Sequence, residues 1–357
     1  MSSSHASNSL TGFEFSFEVR VDSDPDSSAE AFDTQSLTES ITTFHEEFGR
    51  TYHAFHAGSY PYPNDAWEKE RLEHQHQVVK TLLGGRSFVS PFTRDRPPRR
   101  VLDIGTGTGA WVIDVADEFP GAELVRGIDL SPIQSEYVPP NVEFHIEDAN
   151  DGWDEGLNIR YDLIHTRMTM GCWRDMQTDI VQRSFDRLEP GGYLECHEVL
   201  VYPFCDDGTM PTNFPFRRWA LEANEASAAL DRQFFVGHEL KRWFIEAGFV
   251  DVHERAIKVP INPWPADRRS REIGEGWQGN LERGISGWSM GLFNRVWNIE
   301  PEHIEIGLVD VRQAIANTSV HAYQVMFVVW GRKPGSPQQH SSPLRPRSGG
   351  SSKGGRK

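Results

Sequence analysis

Apolar residues recur along the middle of the chain in short runs that alternate with stretches of helical spacing. Residues 100–104 carry Val101, Leu102 and Ile104, a run with the length and composition of a buried parallel strand. Residues 110–119 follow with helical spacing and stop at Pro120-Gly121. The same rhythm predicts strands at 123–128, 142–146 and 161–166, and a helix at 179–188. A fifth strand opens at 193–195 after Glu189-Pro190-Gly191-Gly192, and a helix at 237–247 leads to a sixth at 249–259. A helix over 300–317 and a last strand over 321–330 complete the set, so the pattern predicts an α/β fold on a mostly parallel sheet. Two stretches break the rhythm and read as insertions. Residues 203–235 hold Pro203, Pro211 and Pro215 with a helix at 217–230. Residues 260–300 hold Trp264, Trp277, Trp288 and Trp297 among many glycines, and read as a helical cover over a pocket or as core filling beneath it. Ahead of the core, residues 39–84 look helical with a break near 58–63, forming a cap, and residues 85–99 read as a linker. Residues 1–38 and 334–357 read as disordered tails.

The strand at 100–104 runs straight into Gly105-Thr106-Gly107-Thr108-Gly109. A glycine-rich turn between strand and helix lets a ligand lie on bare backbone at the positive end of the helix dipole. Gly105-x-Gly107-x-x-Ala110 also satisfies a loose dinucleotide fingerprint. Asp103 separates the two readings. A pyrophosphate gains nothing from a carboxylate there, whereas S-adenosylmethionine carries an ammonium and a sulfonium. Asp-x-Gly-x-Gly-x-Gly resembles motif I of the class I methyltransferases, and Pro190-Gly191-Gly192 before the fifth strand fits the same class. Asp103, Gly105, Thr106, Gly107 and Gly109 are therefore candidate donor-binding residues.

Other candidates follow from strand ends. Asp129, with Leu130 beside it, lies about 20 residues beyond the glycines, where a carboxylate accepts from ribose hydroxyls. It can equally cap a helix at Ser131-Pro132. Asp148 and Ala149 suit an adenine, by a carboxylate accepting from the amino group and a backbone N–H donating to the ring, with Trp153 stacking on its face. The strand at 161–166 should neighbour the first across the switch point, so its end faces the transferred methyl. His165 and Arg167 alternate there and share a face. Arg167 is assigned to the donor. His197, His165 and Glu198 are candidate general bases, His197 first because imidazole titrates near neutrality. Tyr52, Tyr60, Asn64 and Arg71 ahead of the core, and Trp173 within it, are candidate substrate-wall or lid residues, or else packing and caps.

Charge and composition narrow the function. The 357 residues carry a formal net charge of −16, unevenly: residues 1–47 hold −9 and residues 334–357 hold +5. An acidic core lacks the clustered Lys and Arg that phosphates need, which argues against direct binding of nucleic acid. No apolar run approaches the ~20 residues that span a bilayer, and no basic-then-apolar signal opens the chain, so no membrane association is expected. Three cysteines, Cys172, Cys196 and Cys205, lack metal-ligand spacing and form no disulfide framework. No metal is expected, and a reducing compartment, cytoplasm or nucleus, is.

The chain resembles the fungal LaeA-like (UMTA) methyltransferases over about residues 45–335. The resembling residues are Gly49-Arg50-Thr51-Tyr52-His53, Tyr60-x-Tyr62-Pro63-Asn64-Asp65 and Glu70-Arg71-Leu72 followed by His74. To these are added the motif I segment, Gly127-Ile128-Asp129-Leu130-Ser131-Pro132-Ile133-Gln134, Val138-Pro139-Pro140-Asn141, His165-x-Arg167 and Leu188-x-Pro190-Gly191-Gly192-Tyr193-x-Glu195. The resemblance implies a Rossmann-like class I methyltransferase fold, a seven-stranded, mostly parallel sheet with a reversed last strand, and S-adenosylmethionine as donor. It also implies one of two roles: methyl transfer to an O or N acceptor in a biosynthetic pathway, a protein side chain included, or regulation of secondary metabolism in the nucleus with velvet-type protein partners. Met168-Thr169-Met170-Gly171-Cys172-Trp173 departs from the family, so no substrate rule carries over there.

Overall fold

The computed structural model describes residues 44–56, 60–151 and 159–335. The two tails, apart from Pro334 and Gly335, and Trp153 lie outside these residues. The described chain opens on a hairpin, β1 (His45–Glu47) and β2 (Arg50–Tyr52), where helical spacing predicted a helix. The turn decides it. Phe48 and Gly49 both take positive φ, which suits a two-residue hairpin and no helix. Glu47 pairs with Arg295 and Arg50 with Asp65, so distant charges hold the hairpin. Asp65 then caps helix α1 (Ala66–Leu82), its carboxylate accepting from the Glu68 amide at 3.0 Å.

The sheet comprises β3 (Arg100–Ile104), β4 (Leu124–Asp129), β5 (Val142–Ile146), β6 (Tyr161–Arg167), β7 (Leu188–Phe204), β8 (Val250–Pro260) and β9 (Tyr323–Arg332). Its order is β5-β4-β3-β6-β7-β9-β8, with β9 antiparallel to both neighbours and the paired strands β5 to β7 parallel. This is the predicted seven-stranded sheet with a reversed last strand. Strand order turns back between β3 and β6, which leaves a crevice at their carboxyl ends.

Side-chain alternation divides the core. Val101, Val125 and Leu163 pack with α2 (Ala110–Glu118) and Phe88 on one face. Leu102, Ile128 and Ile164 face the other way, toward α3 (Arg183–Arg187), which continues a π-helical turn at Gln177–Gln182. Both faces are covered, which is why these strands read as near-continuous apolar runs. A third cluster gathers α4 (Pro215–Ala229), α6 (Arg268–Trp297) and α7 (Pro301–Ala316) with Val199, Val201 and Met326 of β7 and β9. The short α5 (Leu240–Glu246) packs with the second cluster. The 30-residue α6 lies within residues 260–300.

Buried Glu195 of β7 ties the segment before β3 to the sheet. It accepts from the Val89 amide at 2.7 Å, the Ser90 amide at 2.6 Å and His197 at 2.6 Å. Burial pushes its pKa up, but these partners win and hold it below the usual glutamate value. A depressed folded pKa contributes stability that is present above the unfolded value of about 4.5 and is lost as pH falls through the folded one. Glu195→Ala should lower the unfolding free energy by about 3 kcal/mol in urea denaturation at neutral pH. The acid limb of the variant's stability curve should be shallower than that of the wild type.

Candidate active site

Three adjoining recesses form the site. The largest, about 800 Å³, lies where β3, β4 and β6 end and is lined by Gly105, Gly107, Asp129, Leu130, Asp148, Ala149 and Arg167. Asp129 Oδ2 accepts from the Gly107 amide at 2.8 Å and Oδ1 from the Ser131 amide at 3.0 Å, so one carboxylate clamps the glycine turn. Burial pushes its pKa up to about 6. Burial also works against ionisation of Asp148, yet bonds from Asn150 and His56 hold it below the ordinary aspartate value.

Behind the glycine turn sits a second recess of about 410 Å³, bordered by His76, Asp103, Thr106, Thr108, His165 and Arg167. Strand register places Asp103 beside His165 and His165 beside Glu195. Asp103 bonds His165 Nδ1 at 2.7 Å, and Trp111 stacks flat on the imidazole at 3.9 Å. Burial raises Asp103 to about 7 and lowers Arg167 to about 10. Arg167 donates to His76 Nδ1 at 2.9 Å, and His76 in turn meets Asp114 at 2.8 Å. A carboxylate and a guanidinium facing one recess at the start of α2 match the ammonium and carboxylate of an amino-acid moiety.

The third recess is a chamber of about 570 Å³ under α1, α4 and α6. Trp219, Trp277, Trp288, Tyr62, Phe234 and Met170 give it an apolar lining. It shares Tyr60, Glu68, Leu72, Gln75 and Met168 with the large cleft. Leu72 and Gln75 border all three recesses. Met168 sits at this junction with φ of 56°, a left-handed backbone that is costly for an unbranched L residue, while its amide donates to the His197 carbonyl at 2.9 Å.

Several expected residues fall elsewhere. His197 is fully buried and bonded to Glu195, and Glu198 is fully buried and accepts from the Thr169 amide and hydroxyl. Both stand mid-strand, because β7 runs 17 residues to Phe204 rather than ending near them. His165 borders only the small recess and lies under Trp111. None of the three is placed to act as a base on an acceptor in the chamber. Asp103 and Thr106 face the small recess, not the main cleft. Gly109 lines none of the three: it is the left-handed N-cap of α2, where a side chain would collide with the Phe144 ring. Tyr52 is packed under Arg295. Asn64 and Trp173 line the large cleft rather than the chamber. Tyr60 and Arg71 do line the chamber. Glu68, Gln75 and Asn280 were not singled out from the sequence, although Glu68, Arg71 and Gln75 share one face of α1 by their spacing.

Topology, glycine turn and acidic strand ends define a class I methyltransferase that uses S-adenosylmethionine. A family described as a methyltransferase domain matches residues 74–254. "Methyltransferase pytC" of Aspergillus terreus is 33% identical over 325 residues, covering 91% of this chain and 99% of that protein. "Secondary metabolism regulator LAE1" of Cochliobolus heterostrophus is 34% identical, covering 81% and 94%. "Protein-methionine methyltransferase laeA" of Emericella nidulans is 32% identical, covering 82% and 77%. The chain belongs to the fungal LaeA-like methyltransferase family.

Two outcomes are expected from calorimetry with S-adenosylmethionine. Asp129→Ala should weaken binding by about 2 kcal/mol, the worth of a hydrogen bond to a charged group. Burial raises the Asp103 pKa to about 7, and an ammonium seated beside it would favour its ionised form, so affinity should rise from acid to neutral pH. That slope should be smaller in Asp103→Asn.

Proposed function

We infer that the protein methylates a small molecule of fungal secondary metabolism, held in the aromatic chamber beside the donor cleft. In this reading Asp129 and Leu130 hold the ribose, Asp148 and Ala149 the adenine, and Asp103 and Arg167 the amino-acid end. The sulfonium supplies its own leaving group, so the protein's task is alignment, exclusion of water and removal of the acceptor's proton. The observation that carries the reading is enclosure. Trp219, Trp277, Tyr62, Phe234 and Leu281 are buried residues and still line empty space, a wall suited to an apolar molecule and not to an extended polypeptide.

A second reading is a regulator that methylates or assembles with protein, which the names of the LAE1 and laeA relatives favour; velvet-type partners and a nuclear site belong to this reading through the family resemblance alone. Incubation of the full chain with methyl-labelled donor and a fungal extract separates the two. Label should appear in the low-mass fraction. Label confined to protein would sink the small-molecule reading and support the other.

A further inference from the structure

A hydroxyl that takes a methyl must lose its proton, and none of the bases expected from the sequence reaches the chamber. The titratable side chains that do line it are Tyr60, Tyr62, Glu68 and Arg71. Burial holds both tyrosine phenols well above their ordinary value, with the charge of Glu68 adding to it, so neither serves as a base near neutrality. A guanidinium has no lone pair to offer. Glu68 is the one carboxylate among the described residues that borders both the chamber and the donor cleft.

Its geometry is fixed. Oε1 accepts from Arg71 Nε at 3.0 Å and from Nη2 at 2.6 Å, while Oε2, among the described residues, accepts from Nε alone, at 3.0 Å. Arg71 is itself held by Gln75 at 2.8 Å and Asn280 at 2.7 Å and lies over the Trp288 ring. Oε2 therefore keeps acceptor capacity at the junction. The indole N–H groups of Trp219 and Trp277 are taken by Ser289 and Gln324, each at 2.8 Å, which leaves ring carbon to the cavity.

We propose that Glu68 is the general base of the reaction and that its substrate is a hydroxylated aromatic small molecule seated among the chamber's tryptophans. This rests on the small-molecule reading above. The acceptor oxygen bonds the methyl carbon, the carbon–sulfur bond breaks with its electron pair remaining on sulfur as a neutral thioether, and the hydroxyl proton passes to Glu68 Oε2.

The test uses the full chain, S-adenosylmethionine and two probes: 2-naphthol, and 2,4-dinitro-1-naphthol, which is ionised at neutral pH. Binding is read by quenching of tryptophan fluorescence, donor affinity by calorimetry and transfer by mass spectrometry. Wild type should bind and methylate both. Glu68→Gln should keep donor and probe affinities within about threefold, yet lose about 100-fold in transfer to 2-naphthol. With the ionised probe the loss should shrink below about tenfold, because no proton is left to remove. Raising the pH should likewise rescue 2-naphthol in the variant. Equal losses with both probes, or none, would overturn the role of Glu68. Failure of both probes to bind while the donor binds normally would overturn the acceptor class and leave the small-molecule reading to the extract experiment. If Glu68→Gln does not fold, Glu68→Asp decides: a partial loss that depends on acceptor acidity supports the proposal, and an equal loss with both probes overturns it.

Discussion

A cation buried between two helices organises this molecule. The Arg71 guanidinium sits on α1 facing α6, almost wholly removed from water. Without partners such a charge costs several kcal/mol, and Glu68, Gln75 and Asn280 supply the oxygens that receive its N–H groups. The first two come from the same helix, three and four residues away, and the third crosses from α6. This match fixes the seating of α1 on α6, and α1 is the wall between donor cleft and acceptor chamber. Leu72 and Gln75 can border all three recesses because the helix that carries them is clamped from both sides.

A second polar row, inside the sheet, braces the donor side. Register lines up Asp103, His165 and Glu195 on adjacent strands, with His197 reaching back to Glu195. Burial keeps His165 well below its ordinary pKa, so its ring is neutral. A neutral ring can stack flat on Trp111 and still bond Asp103 without adding a charge to the core. The imidazoles act as struts that aim Asp103 into the recess. Proton traffic with an acceptor then falls to the chamber wall, whose carboxylate, Glu68, comes from outside the sheet.

How far the sequence revealed this depended on the range of the interaction. Strands β3 to β6 were legible because each carries buried apolar residues in a short run bounded by turn residues. Asp129 was legible because its distance from the glycines is set by one strand–helix–strand unit. The hairpin at 45–52 was not, since it is held by Arg295 and Asp65, neither of which its own spacing announces. Histidines after a strand start look like strand-end catalysts, but the length of β7 is set by pairing with β9, over a hundred residues on. Asn280 lies 209 residues from Arg71, so no local pattern could bring it into the site.

The wall of the chamber also explains an apparent weakness. Helix α6 contains six glycines, each worth roughly 1 kcal/mol less than alanine in a helix. In isolation it would be a poor helix. Two of these glycines show what offsets the cost: a side chain at Gly274 would strike the Asn262 carbonyl, and one at Gly291 the Pro61 carbonyl. Bare helix surface thus lets two backbone segments lie directly on α6. One of them, at Pro61, carries Tyr60 and Tyr62 into the chamber. Part of the apolar lining is therefore placed by backbone-to-backbone packing, and a substitution at Gly291 would act on the chamber wall and, through Tyr60, on the rim that the chamber shares with the large cleft.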